Sequence, residues 1–318
     1  MQSNQHAAWP VAGGLRHGAN RGAIEPTGRI VRVTQLIVFG IGSGAFLLIA
    51  TLGFALVRRV EGFLNIAHAE LMSISAFITW YFNVKLGWHF LLAALVSIAV
   101  TALVALVIAR LVYDPIKHLG PAILLISSVG VAFLLHGTTA AVVGVGIFGF
   151  EIPRLAAFSL GEVFVAPYRI VLLGLAAVCA VGLALFLNRT RTGKSIRAMS
   201  INRDLAASRG VDITAASRAT WLVTGVLAGL GGVALGVLGT LTTDLAFGQI
   251  LVILAVAIVA GLGSLYGVIV AAFIVGMAMD LSQLVLPGGY RPVIAFALVI
   301  LVLLIRPQGL VGSRERAT

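Results

Sequence analysis

"GQILVILAVAIVAGLGSLYGVIVAAFIVGMAMD" (residues 248–280) carries one charge, Asp280, in 33 residues. Helical segments of about 20 apolar residues cross the hydrocarbon of a bilayer. The stretch divides into a short run, 248–262, and a second run, 265–286, around "GLGSLYG" (261–267). Gly261, Gly263 and Gly267 weaken a helix there. The pattern predicts either two short spans or a re-entrant pair. Broken helices are tolerated in a membrane only inside protein or beside a water-filled cavity, so these glycines become candidates for a solute pathway.

Working outward, similar apolar runs cover 35–57, 64–83, 90–112, 121–147, 169–187, 219–240 and 290–305. The fold expected is an all-α polytopic membrane protein of about 8–9 transmembrane helices, with a Gly-rich broken or re-entrant pair. Composition agrees. Charged residues make up 10% of the chain and mean hydropathy is +1.08, whereas soluble domains hold about 25% charged residues. The net charge of +11 is no nucleic-acid signal, because the Lys and Arg residues fall between the apolar runs. The one cysteine, Cys179, lies inside an apolar run and reads as packing.

Three parts are expected: a flexible basic N-terminal tail (1–33), a transmembrane domain (34–306) and a C-terminal tail (307–318). The first part lacks the apolar core and cleavage site of a signal peptide. The loop 188–218 holds Arg189, Arg191, Lys194, Arg197, Arg203, Arg209 and Arg218, which places it in the cytoplasm. Alternation then puts the N-terminus outside, the 148–168 loop outside and the C-terminal tail inside. A half-crossing near residues 58–70 would reverse the N-terminal side.

Two further segments carry chemistry. In "EGFLNIAHAELMSISAF" (61–77), Asn65, His68 and Glu70 stand within six residues beside a membrane run. Asn65 is expected to cap a helix starting at Ile66, with His68 and Glu70 in its first turn. The patch either closes the helix end or lines and braces a solute pathway. In "RTRTGKSIRAMSINRDLAASRGVDI" (189–213), Ser195 is expected to start a short helix presenting Ile196 and Met199. Asp204 would begin a second helix that Gly210 ends. Such a small apolar face among arginines, Arg197 included, suits docking in a groove of a soluble partner.

Other motifs fail on spacing. "TGKS" (192–195) lacks the earlier glycine of a phosphate loop, since Asn188 stands there. "GLGSLYG" misses the dinucleotide pattern by one residue. No His, Cys, Asp or Glu cluster has metal-ligand spacing, and no nucleophile–base pair stands out. The chain is therefore expected to be neither an enzyme nor the holder of a cofactor.

Four segments carry a resemblance: "GFLNIAHAE", "YDPIKHLGPAILLISSVGVAFLL" (113–135), "RTGKSIRAMSINRDLAASRGV" (191–211) and "VAGLGSLYGVIVAAFIVG" (259–276). In this order they resemble the permease subunits of bacterial branched-chain amino acid ABC uptake systems, the LivH family. Ala69 stands where that family usually has glycine, and Asp114 where it usually has arginine. The resemblance implies an inner-membrane protein that forms a pathway with a second, LivM-like permease or with its own copy. It further implies two cytoplasmic ABC ATPases and an external solute-binding protein as partners. Gly193, Ile196, Arg197, Met199, Asp204 and Gly210 would then belong to the ATPase-coupling segment. Asn65, His68, Glu70, Gly261, Gly263 and Gly267 would lie along the pathway. Related permeases carry urea or short amides. The alternative is a stand-alone secondary transporter or channel, which needs mid-span ion-coupling groups; His136 is the one such residue in view.

Overall fold

The computed structural model describes residues 26–152, 158–160 and 163–311. Twelve α-helices follow one another: α1 (Pro26–Glu61), α2 (His68–Trp80), α3 (Phe90–Ile108), α4 (Asp114–Ile116), α5 (Pro121–Val143), α6 (Pro167–Arg189), α7 (Arg191–Ile201), α8 (Arg203–Ser208), α9 (Ile213–Leu238), α10 (Leu245–Ala260), α11 (Leu265–Leu281) and α12 (Arg291–Ile305). Among the described residues, seven helical stretches are long and apolar enough to cross a membrane, and α10 is a shorter apolar helix. The chain is thus an all-α polytopic membrane protein. An antiparallel hairpin, β1 (Phe158–Leu160) with β2 (Val163–Val165), decorates the loop before α6. Sequence periodicity showed no sign of it. Arg154 and Glu162, expected on the outer side, lie outside the described residues, as do Arg314 and Arg316.

Two boundaries differ from expectation. Residues 26–33 form the first turns of α1 instead of a flexible tail. The run 64–83 is not a full span: a 13-residue α-helix starts at His68 and continues as one π-helical turn, Tyr81–Lys85.

α1 is the central post, packed along α11 and α9, with α2 held between α9, α3 and α5. Lipid tails give apolar helices no hydrophobic reason to associate, so close backbone approach must supply the attraction. Glycine makes it possible. A Cβ added at Gly276 of α11 would sit 2.7 Å from Gly44 Cα of α1. One at Gly229 of α9 would meet Ile98 Cα of α3 at 2.9 Å, and one at Gly232 would strike the Met72 carbonyl of α2. Hydroxyls fasten the same seam. Ser75 donates to Gly229 O at 2.9 Å, and Thr79 donates to Ser97 Oγ at 2.6 Å.

Both ends of α1 fix direction. Arg32 near its start donates to Gln283 O beyond α11, while Arg59 near its end packs on Gly263. The end of α1, the α10–α11 turn and α7–α8 therefore share one face, the basic one, and α1 begins on the opposite face. The half-crossing considered at residues 58–70 exists, but α2 continues to the opposite face, so direction is not reversed.

Candidate functional site

The first element of the site is the interruption between α1 and α2. Glu61 ends α1, and Gly62 turns the chain with φ 85°. The chain then runs back alongside α1. His68 Nε2–H donates to Ala50 O at 2.9 Å, and its ring lies over Gly53, where a Cβ would meet it at 2.9 Å. Ala50 stands 11 residues before the end of α1, so α2 begins roughly 16 Å inside the basic face at 1.5 Å per residue. It is a discontinuous helix whose positive end lies at membrane depth, the arrangement of many transporters.

Borrowed side chains satisfy this stretch. Ser128 of α5 accepts from the Ile66 N–H at 3.1 Å and lies 3.3 Å from Leu64 O. Tyr113 donates to Asn65 Oδ1 at 3.1 Å, inside a box of Phe63, Tyr113 and Trp221. Asn65 is therefore not the expected cap. α2 starts two residues later than Ile66, after Ala67, with no side-chain cap. Asn65 and His68 are buried and bonded; they brace the break and do not line a pathway in this structure.

Glu70 differs. It is 2% exposed, and neither carboxylate oxygen has a hydrogen-bond partner. Its Oε1 lies 3.6 Å from His136 Nδ1, and His136 Nε2 lies 3.5 Å from Asp244 Oδ1 at the start of α10. His136 is thus not the lone mid-span titratable group that the sequence suggested. No pattern within one segment could have found this trio, because α2, α5 and α10 supply one residue each.

The glycines of 261–267 fall elsewhere. Gly261 (φ 93°) and Gly263 (φ 89°) make a tight turn on the basic face between two antiparallel helices. Ser264 Oγ accepts from the Gly267 N–H at 3.0 Å to cap α11, and a Cβ at Gly267 would strike the Ala260 carbonyl. Leu310 N–H and Val311 N–H donate back to Val259 O and Ala260 O. Of the two options left open by the sequence, this is the pair of short spans. The expected pathway role of Gly261, Gly263 and Gly267 is corrected: they form a closed turn beside Arg59 and Gly309.

The basic segment is two helices at an elbow. α7 begins at Arg191, not Ser195, because Thr190 Oγ1 accepts from the Gly193 N–H at 2.9 Å. Gly193 is required by contact: a Cβ there would strike the Phe186 carbonyl in the last turn of α6. Ile196 and Met199 are buried in the subunit's own core, so they do not present a face to a partner as expected. Arg197 donates to Asn188 Oδ1 at 2.5 Å. Asn202 caps α8 by accepting from the Leu205 N–H at 2.9 Å; Asp204 stands exposed in its first turn, and Gly210 (φ 79°) ends it. The apolar side chains left outside are Ile201, 79% exposed, and Leu205, 55% exposed.

One buried charge joins the elbow to the helix break. The Glu61 side chain is fully buried. Its Oε2 lies 3.0 Å from Lys117 Nζ and 3.6 Å from Arg203 Nη1 of α8, and Ser217 of α9 donates to its Oε1. Lys117 also pairs with Asp114 at 2.6 Å. Four elements meet on one carboxylate at the hinge of α2. Sequence reasoning overlooked it because Glu61 looks like an interfacial charge at a span's end.

Comparison with known proteins follows the same lines. Residues 36–303 match the family model described as branched-chain amino acid transport system / permease component. The chain is 27% identical over 302 residues to the high-affinity branched-chain amino acid transport system permease protein BraD of Pseudomonas aeruginosa, covering 90% of this chain and 98% of that protein. It is 24% identical over 295 residues to the corresponding permease protein LivH of Escherichia coli K12, covering 88% and 96%. A probable branched-chain amino acid transport permease protein of Methanocaldococcus jannaschii is 29% identical over 173 residues, covering 52% of this chain and 50% of that protein.

Proposed function

The chain belongs to the permease component family of branched-chain amino acid transport systems, and from that premise we propose that it is the membrane-spanning permease subunit of an ABC uptake system in the bacterial inner membrane. Its solute is a branched-chain amino acid or a related small zwitterion or amide. Two cytoplasmic ATPase subunits hydrolyse the ATP; a LivM-like permease or a second copy of this chain completes the pathway. An external solute-binding protein delivers the solute.

The observation that carries this reading is the α7–α8 elbow. Its inner face is locked into the body by Ile196 and Met199, and its outer corner exposes Ile201 and Leu205 among charges. A rigid lever with a small apolar tip fits a groove on a water-soluble motor. Through Arg203 and Glu61, movement of the elbow reaches the hinge where α2 begins. The pathway needs weak contacts, since a tight site would retain the solute.

The test is reconstitution of the permease with its ATPases and binding protein in proteoliposomes, with leucine as the probe. ATP-dependent leucine uptake is expected. Replacing both tip residues, Ile201→Glu with Leu205→Glu, is expected to weaken ATPase co-purification by at least about tenfold, the equivalent of 1.4 kcal/mol. Membrane insertion should persist. Full ATPase capture by that double variant would remove the elbow from the docking role.

A further inference from the structure

We propose that Glu70, His136 and Asp244 form the subsite for the ammonium group of the permeating solute, with the His136 imidazole as a placeholder that the ammonium displaces. This deepens the permease reading above and rests on it.

Three observations converge. First, Glu70 is a buried carboxylate with no hydrogen bond, at 2% exposure, in the first turn of a helix that starts at membrane depth. A buried anion without a strong partner is costly. Among the described residues no lysine or arginine pairs with Glu70 or Asp244; His136 alone stands near both, at 3.6 and 3.5 Å. These separations exceed a hydrogen bond, so the place is held loosely. The two carboxylates flank opposite edges of one imidazole, which suits a single small cation in place of the ring.

Second, Asp244 is 87% exposed although it stands level with His136. His136 precedes the end of α5 by seven residues, or about 10 Å of helix. A charge at such depth on the open side of a subunit belongs to a wet cavity or a pathway.

Third, the walls match the rest of an amino acid. A cleft of about 590 Å³ opens between α2 and α5 one turn beyond the trio, lined by Ile74, Phe77, Leu135, Thr139, Val142 and Phe148. Ile74 follows Glu70 by one helical turn, and Thr139 follows His136 by three residues, so cleft and trio share helix faces. Its volume is within the usual range for small-molecule sites. A solute with an ammonium group and an apolar side chain presents the matching pair of surfaces.

The experiment uses the complete transporter in proteoliposomes and reads leucine moved per ATP hydrolysed. Glu70→Gln is expected to lower that ratio at least about tenfold, and Glu70→Asp to restore most of it. Asp244→Asn, at an exposed position that folding does not depend on, is expected to lower the ratio by a smaller factor. An unchanged ratio in Glu70→Gln would overturn the subsite, as would a parallel fall of uptake and hydrolysis, which marks a structural role. Should Glu70→Gln fail to assemble, an unchanged ratio in Asp244→Asn overturns it instead. Uptake driven by a pH gradient without ATP, and lost in Glu70→Gln, would replace the subsite with a proton relay. If the unaltered transporter moves no leucine with ATP, the permease reading itself falls.

Discussion

The α1–α2 break at residues 62–67 and the α10–α11 break at residues 261–264 both interrupt helical hydrogen bonding, and they do so with different materials. At 261–264 the chain supplies everything locally. Two positive-φ glycines turn it, Ser264 caps the next helix, and the whole turn sits at the basic face. At 62–67 a single positive-φ glycine starts the reversal, and the remaining backbone groups depend on Ser128 and Tyr113 from other helices. A locally satisfied turn holds its shape whatever its neighbours do. A stretch satisfied by other helices changes when they move. This is why the break that fewer glycines mark is the better candidate for the moving part.

Three substitutions press on that difference. Glu61→Ala leaves Lys117 and Arg203 facing each other at the hinge; breaking a buried pair costs about 3–5 kcal/mol, at the lower end here because Arg203 is partly exposed. Thermal unfolding of the purified complex is expected to show this loss, together with a collapse of leucine moved per ATP. Ser128→Ala orphans the Ile66 N–H and should cost about 1–3 kcal/mol, again with reduced uptake per ATP. Gly263→Ala forces a side chain into left-handed backbone, at about 1–2 kcal/mol. It should lower the unfolding temperature while leaving uptake per ATP intact. If Gly263→Ala uncouples as strongly as Ser128→Ala, the two breaks are functionally alike and the contrast fails.

Much of the fold could be read from the chain because lipid imposes a length on every apolar run. The ends of α5, α6, α9 and α12 fall near those of the runs at 121–147, 169–187, 219–240 and 290–305. The α1 and α9 glycines could be read for the same reason: in lipid, close approach is what holds helices together. Depth was not legible. The run 64–83 has the right length for a span, and only the Ser128 and Tyr113 contacts show that its first residues re-enter beside α1. Nor was the direction of a small apolar face. Ile196 and Met199 mark an amphipathic helix, but the pattern is the same whether that face meets the subunit's own core or another protein. The α1–α2 patch was visible as polar residues in a greasy run. Its division into two braces, Asn65 and His68, and one unsatisfied acid, Glu70, depended on partners far along the chain.

The last described residues have a consequence for biogenesis. The Leu310 and Val311 amides cover carbonyls at the end of α10, which left the ribosome some fifty residues earlier. Until the nascent chain delivers residues 309–311, the foot of that hairpin stays bare, so its final setting is a late event after insertion. Affinity tags belong beyond residue 311, and a stop codon before Gly309 should yield a protein that inserts but is cleared by quality-control proteases.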